Sequence, residues 1–215
     1  MKTAGKRTTP QLRPTPFNLV PDYALTKEGH PPVVDPRAIR SALALMDQAA
    51  VNGGSACHWG GPSALAELLS ALYAQIFKNF QTSDSDRWDD HIHLVNDIGH
   101  AHNAFYALFA HYHLLTYQEL NGFRSLSSKL TGHGEGHLFP EGVLLSNGPL
   151  GSTIAQSQGL AIGDCLHKKE RKTITFVSDG ALMEGEVKEA LASIPGFFAK
   201  KAMNPYLLII SDNNT

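Results

Sequence analysis

The stretch TITFVS at residues 173–178 leads directly into SDGALMEGE at 178–186, and this junction decides the fold. A short apolar run rich in β-branched residues predicts a buried strand, and the Asp-Gly that follows predicts a turn at its carboxyl end. A second such run, YLLIIS at 206–211, ends in DNNT, and a helical segment separates the two runs. Two apolar strands bridged by a helix predict a βαβ unit in a parallel sheet that is covered on both faces.

The segments before this unit extend it into one α/β domain. HIHLVN at 91–96 predicts a further short strand, and apolar residues at helical spacing predict several core helices. These helices are expected to begin near Asp35 with Pro36 in the first turn, to begin at Pro62, to cover 101–115 and 152–167, and to run from Glu184 to Lys200. We therefore expect a three-layer α/β/α fold with a mostly parallel central sheet.

Two segments interrupt this regular pattern. Residues 1–34 are rich in Pro, Thr and basic residues without any period, which predicts an extended N-terminal arm on a domain formed by 35–215. Between Ser127 and Gly148 the composition changes to Gly, His, Pro, Asn and Ser. Irregular loops of this length inside a compact domain are usually functional.

Composition limits the kinds of partner. The chain has 215 residues, with 18 basic and 20 acidic side chains spread along it, so no basic stripe indicates nucleic acid. We find no signal peptide and no apolar run of about 18 residues, the length that a membrane span needs. Cys57 and Cys165 lie far apart and fit reduced thiols better than a disulfide framework. We expect a soluble, cytoplasmic protein that binds small molecules or another protein, with no nucleic acid or membrane partner.

Oxygen donors follow both strands of the predicted βαβ unit. Asp179 comes after the first strand, Asn214 comes after the second, and Gly180 allows a close approach to the backbone. Mg²⁺ takes about six oxygens and usually keeps one or two protein side chains beside phosphate oxygens and water. The pair therefore predicts a magnesium site that also binds a diphosphate. The alternative is that both residues only turn or cap the chain.

As a pair, these strand ends resemble the signature of thiamine diphosphate enzymes. In that signature a Gly-Asp-Gly ends one strand and an Asn ends the next, and here SDG at 178–180 and DNN at 212–214 match it. Ser178 replaces the leading glycine, and the gap between the two motifs is longer than usual, with FFAKKAMNP at 197–205 as the insertion. The resemblance implies Mg²⁺, or Ca²⁺ in its place, bound by Asp179 and Asn214.

Four segments from about Asp35 onward narrow the resemblance to transketolases. They are SACHWGGPSALAELL, DIGHAHNAFYALFAH, NGPLGSTIAQSQGLAIG and SDGALMEGE, which resemble the family's SGHPG, GHG, TGPLGQG and GDGxLMEGI segments in the same order. The aligned positions that matter for a site are His58, Gly60, Pro62, His100, Gly148, Pro149, Leu150, Gly151, Asp179, Gly180, Glu184 and Gly185.

The GPLG segment suits a flat ring. Its glycines remove side chains so that backbone groups can meet the ring, and we expect the following helix to offer free N–H groups. The resemblance implies that Gly148, Pro149, Leu150 and Gly151 line the cofactor's aminopyrimidine ring. Taken alone, the segment also fits a plain loop with a helix cap.

Three histidines are candidate catalytic residues. His100, at the start of a helix, suits an anion, and the resemblance implies that it contacts the diphosphate. There Ala101 replaces the family's second glycine and His102 follows, so we expect side chains to crowd this approach. His58 and His133 resemble histidines that face the carbonyl and hydroxyl end of the sugar, where proton transfer and hydrogen bonding to a developing alkoxide are needed.

Glu184 and Cys57 are two further candidates for a role. The resemblance implies that Glu184 is a cofactor-binding residue, which lies at a dimer interface between two cofactors and helps to couple them. A glutamate here also simply favours a helix N-terminus. Cys57 stands beside His58 but lacks a third orienting group, so a thiol nucleophile is not expected.

The resemblance implies a transferase that moves a two-carbon ketol unit between sugar phosphates, using thiamine diphosphate and magnesium, as a homodimer. The alternatives are the decarboxylating component of a 2-oxo acid dehydrogenase and a cofactor-binding module without activity. The family's catalytic Glu belongs to a pyrimidine-binding domain, which would come in cis or as a separate chain. The third metal ligand, a backbone carbonyl, would follow Thr215. We therefore expect a chain truncated at its C-terminus and inactive alone, with a naturally split enzyme as the alternative.

Overall fold

The computed structural model describes residues 34–79, 88–111 and 114–212. Except for Val34, the arm expected over 1–34 lies outside these residues, and so does the predicted metal ligand Asn214. No helix within the described ranges is both long and apolar enough to cross a lipid bilayer.

A parallel sheet forms the centre of the fold. Its strands are β1 (Ile92–Asn96), β2 (Lys172–Ser178) and β3 (Tyr206–Ser211), hydrogen-bonded in the order β1-β2-β3. Both pairings are parallel, with Asn96 opposite Phe176 and Ser178 opposite Ser211. The predicted βαβ unit and the predicted strand at 91–96 are confirmed.

Helices cover this sheet. They are α1 (Pro36–Asn52), α2 (Gly60–Ala64), α3 (Ala66–Asn79), α4 (His102–His111), α5 (Tyr117–Leu120), α6 (Ser152–Leu166) and α7 (Gly185–Ala199). The α1 start is as predicted, because the Asp35 side chain accepts a hydrogen bond of 2.8 Å from the Arg37 N–H with Pro36 in the first turn. The helix predicted from Pro62 is divided at Leu65 and begins two residues earlier.

Alternate side chains of β2 enter two different cores. Ile174 and Phe176 belong to a large cluster that also contains residues of α1, α3 and α4, whereas Val177 packs in a smaller cluster with residues of α6 and α7. Alternation along a strand puts successive side chains on opposite faces of a sheet. The layers are therefore α/β/α, as the sequence predicts, and α4 is buried along its whole length.

The loop between α5 and α6 is irregular, as predicted, but it is firmly packed. Leu130 and Phe139 are only 0% and 1% exposed. The Phe139 ring packs edge to face on Phe109 of α4, with the centroids 6.0 Å apart. These apolar anchors fix the loop on α4, and the Asn147 side chain joins the end of the loop to the Asn96 carbonyl at the carboxyl end of β1.

Candidate active site

The three candidate histidines come from separate segments and meet beyond the carboxyl end of β1. The rings of His58 and His100 have centroids 5.1 Å apart. A methyl group on Gly61 would lie 3.0 Å from the His100 Nε2 atom, and one on Gly99 would lie 3.1 Å from two ring carbons of His133. Glycines are thus needed where the histidine rings approach the backbone.

Helices α1 and α4 hold the segment that carries His58. The Asn103 side-chain amide donates hydrogen bonds of 3.4 Å to the His58 carbonyl and to the Asp47 carboxylate. Burial raises the pKa of Asp47, while hydrogen bonds from Cys57 and Asn103 oppose that rise. Asp47 was not predicted as a site residue, because an acidic side chain inside an amphipathic helix gives no signal of its own.

The GPLG loop lies at the same edge of the sheet. Gly148, Pro149 and Leu150 are exposed, whereas Gly151 is buried with a φ of +88°. A methyl group on Gly151 would lie 2.5 Å from Val187 Cγ2 and 3.4 Å from Glu184 Cβ. The GPLG and SDGALMEGE segments are therefore in direct contact at this point.

The N-terminus of α6 differs from the prediction of free N–H groups. The Asp97 carboxylate accepts hydrogen bonds from the Gly151 N–H at 2.9 Å and the Thr153 N–H at 3.1 Å. The Ser152 N–H bonds to the Pro149 carbonyl at 3.4 Å. That prediction was wrong because an acidic side chain from the end of β1 occupies the helix terminus. The sequence does contain a signal for this contact, since Asp97 follows a strand just as Asp179 does.

The end of β2 presents the predicted metal ligand. Asp179 is half-buried, and its backbone N–H bonds to the Ser211 carbonyl at 3.2 Å. Gly180 is exposed, and the atom nearest to a methyl group placed on it would be Ser178 Oγ, at 4.0 Å. Glu184 is exposed at the start of α7. A half-buried carboxylate beside open space can take a cation and its phosphate ligands.

Residues 35–214 match a family model described as transketolase, thiamine diphosphate binding domain. The chain belongs to the transketolase family. It is 30% identical over 186 residues to a transketolase of Rhodobacter capsulatus, covering 82% of this chain and 26% of that protein. It is 31% identical over 172 residues to transketolase 2 of Escherichia coli, covering 74% and 25% of the two chains.

A solved structure gives the same result for the fold. Transketolase from Leishmania mexicana superposes with a TM-score of 0.66 at 29% identity, covering 85% of this chain and 28% of that one. This chain therefore spans about a quarter of the length of the transketolases it matches. The family membership and the α/β fold predicted from the sequence are both confirmed.

The pKa values of two histidines are lowered in this candidate site. Burial lowers the pKa of His100, and the neighbouring His58 and His133 lower it further. Partial burial of its ring, followed by the charges of Arg124 and His58, lowers the pKa of His133. Both shifts favour neutral imidazoles near neutral pH. A neutral imidazole can donate one hydrogen bond and accept another.

Arg124 lies against the loop that carries His133. Its backbone has a φ of +61°, which non-glycine residues rarely adopt. A methyl group on Gly132 would lie 2.5 Å from Arg124 Nη2, so the guanidinium packs directly on the residue before His133. The Arg124 side chain also donates to the Ala56 carbonyl, and so connects the His58 and His133 segments.

The crowding expected after His100 is not found. Ala101 and His102 are 0% and 3% exposed, and the His102 ring stacks on Phe105 with the centroids 5.3 Å apart. Burial lowers the pKa of His102 to about 4, so it stays neutral in this core position. Both side chains therefore belong to the packing beneath the site.

Cys57 is unsuited to nucleophilic attack, in agreement with the sequence. Its thiol donates to the Asp47 carbonyl at 3.7 Å. Burial and the adjacent Asp47 raise the pKa of the thiol, which keeps it protonated. A protonated thiol is a weak nucleophile.

The residues of the candidate site fit thiamine diphosphate, the cofactor given in the description of the matching family. Within the described segments, no group of three or more His, Cys, Asp or Glu side chains is arranged to hold a metal ion. A methyl group on Gly148 would meet no atom within 4 Å, which leaves space at the loop for a flat ring.

Two glycines of one segment offer a matched stability test. We expect Gly151→Ala to lower the free energy of unfolding by about 2 kcal/mol or more, because the new side chain meets Val187 and the positive φ is strained. Gly159→Ala, on an exposed turn of α6 with no atom within 4 Å, should instead raise it by about 0.5–1 kcal/mol. Urea unfolding of both variants measures the difference, and equal effects would contradict the packing described for Gly151.

Proposed function

We propose that this chain binds the diphosphate and metal of thiamine diphosphate in a transketolase-type enzyme. The observation that carries the proposal is the meeting of three segments at one edge of the sheet. The histidine cluster, the GPLG loop and the end of β2 are separate in sequence, yet they are linked by the contacts of Gly99 with Asn147 and of Gly151 with Glu184. In parallel α/β sheets, ligands bind beyond the carboxyl ends of the strands.

Each group of residues has a distinct task in this proposal. Asp179, with Asn214, holds Mg²⁺, and the exposed Gly180 gives the diphosphate access to it. His100 donates a hydrogen bond to a diphosphate oxygen, for which its neutral ring is suited. Gly148, Pro149, Leu150 and Gly151 line the aminopyrimidine ring.

His58 and His133 act on the sugar. Bound thiamine diphosphate supplies the electron sink for carbanion chemistry. A neutral imidazole beside the sugar carbonyl can hold or move a proton at that oxygen. We propose that the whole protein transfers a two-carbon ketol unit between sugar phosphates, and that a pyrimidine-binding domain supplies the remaining catalytic groups.

Exposed residues beside the site support a homodimer in which Glu184 lies at the interface. Leu150 and Met183 are 42% and 73% exposed although both are large and apolar, and both stand next to proposed cofactor residues. A partner subunit that covers them would bury this apolar surface and close the site from water. The carboxylate of Glu184 is exposed in the same region.

Calorimetry tests the cofactor assignment. We expect the complete protein to bind thiamine diphosphate in the presence of Mg²⁺, to lose that binding in EDTA, and to bind unphosphorylated thiamine far more weakly. Absence of thiamine diphosphate binding would contradict the proposal.

An activity assay with xylulose 5-phosphate and an aldose phosphate acceptor tests the reaction. Release of CO₂ from pyruvate without ketol transfer would favour a 2-oxo acid decarboxylase instead.

A further inference from the structure

The GPLG loop is held at both ends by two consecutive residues, Asn96, which ends β1, and Asp97, which follows it. At one end, the Asn147 side chain donates to the Asn96 carbonyl, and Asn147 also exchanges hydrogen bonds with Gly134 at 2.8 and 3.2 Å. At the other end, Asp97 accepts the hydrogen bonds of α6. Between these anchors, residues 148–150 are exposed and available to a ligand.

Asp97 provides a helix cap that the loop itself lacks. The N-cap position of α6 is Gly151, which has no side chain and therefore makes no side-chain cap. The Asp97 carboxylate, which is located just after β1, caps α6 instead. Asp97 is only 3% exposed. Its own backbone is fixed to the sheet, because the Asp97 N–H donates to the Phe176 carbonyl at 2.8 Å.

The charge of Asp97 also determines how α6 can be used. A carboxylate at a helix N-terminus is stabilised by the helix dipole and by the N–H groups that it accepts. The same N–H groups would otherwise attract an anion such as a diphosphate. With Asp97 in place, α6 supports the loop rather than binding phosphate, and the diphosphate is left to the metal and His100.

We propose that Asp97 is a positioning residue, which fixes the GPLG loop in the conformation that receives the ring of the cofactor. The inference rests on the proposed function, since it assigns a task to Asp97 only if the loop binds thiamine diphosphate. Asp97 itself touches no reacting atom in this proposal. It accepts hydrogen bonds from the N–H groups of Gly151 and Thr153, and its own position is fixed by its hydrogen bond to the sheet.

Two substitutions at Asp97 and one control test the proposal. Asp97→Ala removes both acceptors, and Asp97→Asn keeps the shape but turns an NH₂ group toward one of the two N–H donors. Asp90→Asn, at an exposed aspartate before β1, is the matched control. Three quantities are measured for all three variants and the wild type: hydrogen exchange in the complete protein without cofactor, thiamine diphosphate binding with Mg²⁺, and kcat at saturating cofactor.

We expect both Asp97 variants to raise amide exchange about tenfold or more in peptides covering 148–153, with β2 and β3 unchanged. The dissociation constant for thiamine diphosphate should rise about tenfold, while kcat at saturating cofactor should change less. Asp90→Asn should match the wild type in all three measurements.

The outcomes separate the inference from the function on which it rests. Failure of the wild type to bind thiamine diphosphate would refute the proposed function, whatever exchange shows at Asp97. Normal cofactor affinity in both Asp97 variants would overturn the positioning role. Loss of protection throughout the sheet in both variants would also overturn it, because Asp97 would then stabilise the whole domain rather than the loop.

Discussion

Asp179→Ala is expected to abolish Mg²⁺-dependent retention of thiamine diphosphate, with a loss of affinity of at least about 100-fold. Loss of a group that only supports a metal ligand already costs about 10–100-fold, and Asp179 is proposed as a ligand itself. Its carboxylate also offsets the charge of the cation beside the diphosphate. Equilibrium dialysis of the complete protein with cofactor and Mg²⁺ measures the effect.

The loss of cofactor affinity in Asp179→Ala is not expected to come from a loss of protein stability. Within 34–79, 88–111 and 114–212, the side chain of Asp179 enters no hydrogen bond or ion pair, so its removal takes no partner from this part of the chain. The melting temperature of Asp179→Ala is therefore expected to stay close to that of the wild type in the absence of cofactor. Asp90→Ala, at an exposed position remote from the end of β2, is the control for removal of a carboxylate. Normal affinity in Asp179→Ala would refute the metal assignment.

The sheet could be predicted because its strands carry their own signal. A parallel strand covered on both faces needs apolar residues in succession, and TITFVS and YLLIIS satisfy this without reference to the rest of the chain. The start of α1 was predictable for a similar reason, since an Asp followed by Pro caps a helix through contacts between near neighbours. Local chemistry of this kind can be read from one sequence.

Other features depend on residues that are distant in sequence. The hydrogen bond from the Gly151 N–H to the Asp97 carboxylate spans 54 positions, and neither residue alone predicts the other.

The α5 helix is not predicted from the sequence, for a different reason. Its Thr116 and Glu119 form a capping box, with the Thr116 N–H to Glu119 Oε2 at 2.7 Å, and this spacing is visible in the sequence. Only four residues follow the cap, too few for an apolar period to appear.

The three histidines were predicted as site residues from the family resemblance, but their mutual arrangement was not. The distance between His58 and His100 depends on Asn103 and on the absence of a side chain at Gly61. The position of His133 depends on the absence of a side chain at Gly99. A glycine in a loop predicts flexibility or a turn as readily as a close approach of a ring. Their common edge of the sheet was predictable, whereas the contacts that bring them together required the folded chain.

His133→Ala is expected to lower kcat for ketol transfer by about 10²–10³-fold, because a positioned acid or base typically contributes a factor in this range. The affinity for thiamine diphosphate should change only a few-fold, since the ring is proposed to face the sugar rather than the diphosphate. This division is opposite to that expected for Asp179→Ala. Steady-state kinetics with saturating cofactor, together with direct binding, separates the two effects.

The control for His133 lies in the same loop. His137 is exposed, with its Nδ1 atom 3.7 Å from Glu135 Oε2, and His137→Ala should leave kcat near the wild-type value.

The pH profile of kcat adds a second test, because the lowered pKa of His133 keeps its ring neutral to lower pH than the ring of an ordinary histidine. If the neutral ring is required, activity should persist below the usual pKa of histidine and fall only when the ring protonates. A His133→Ala enzyme with normal kcat and weak cofactor binding would instead place His133 at the diphosphate, and would leave His58 as the histidine that serves the sugar.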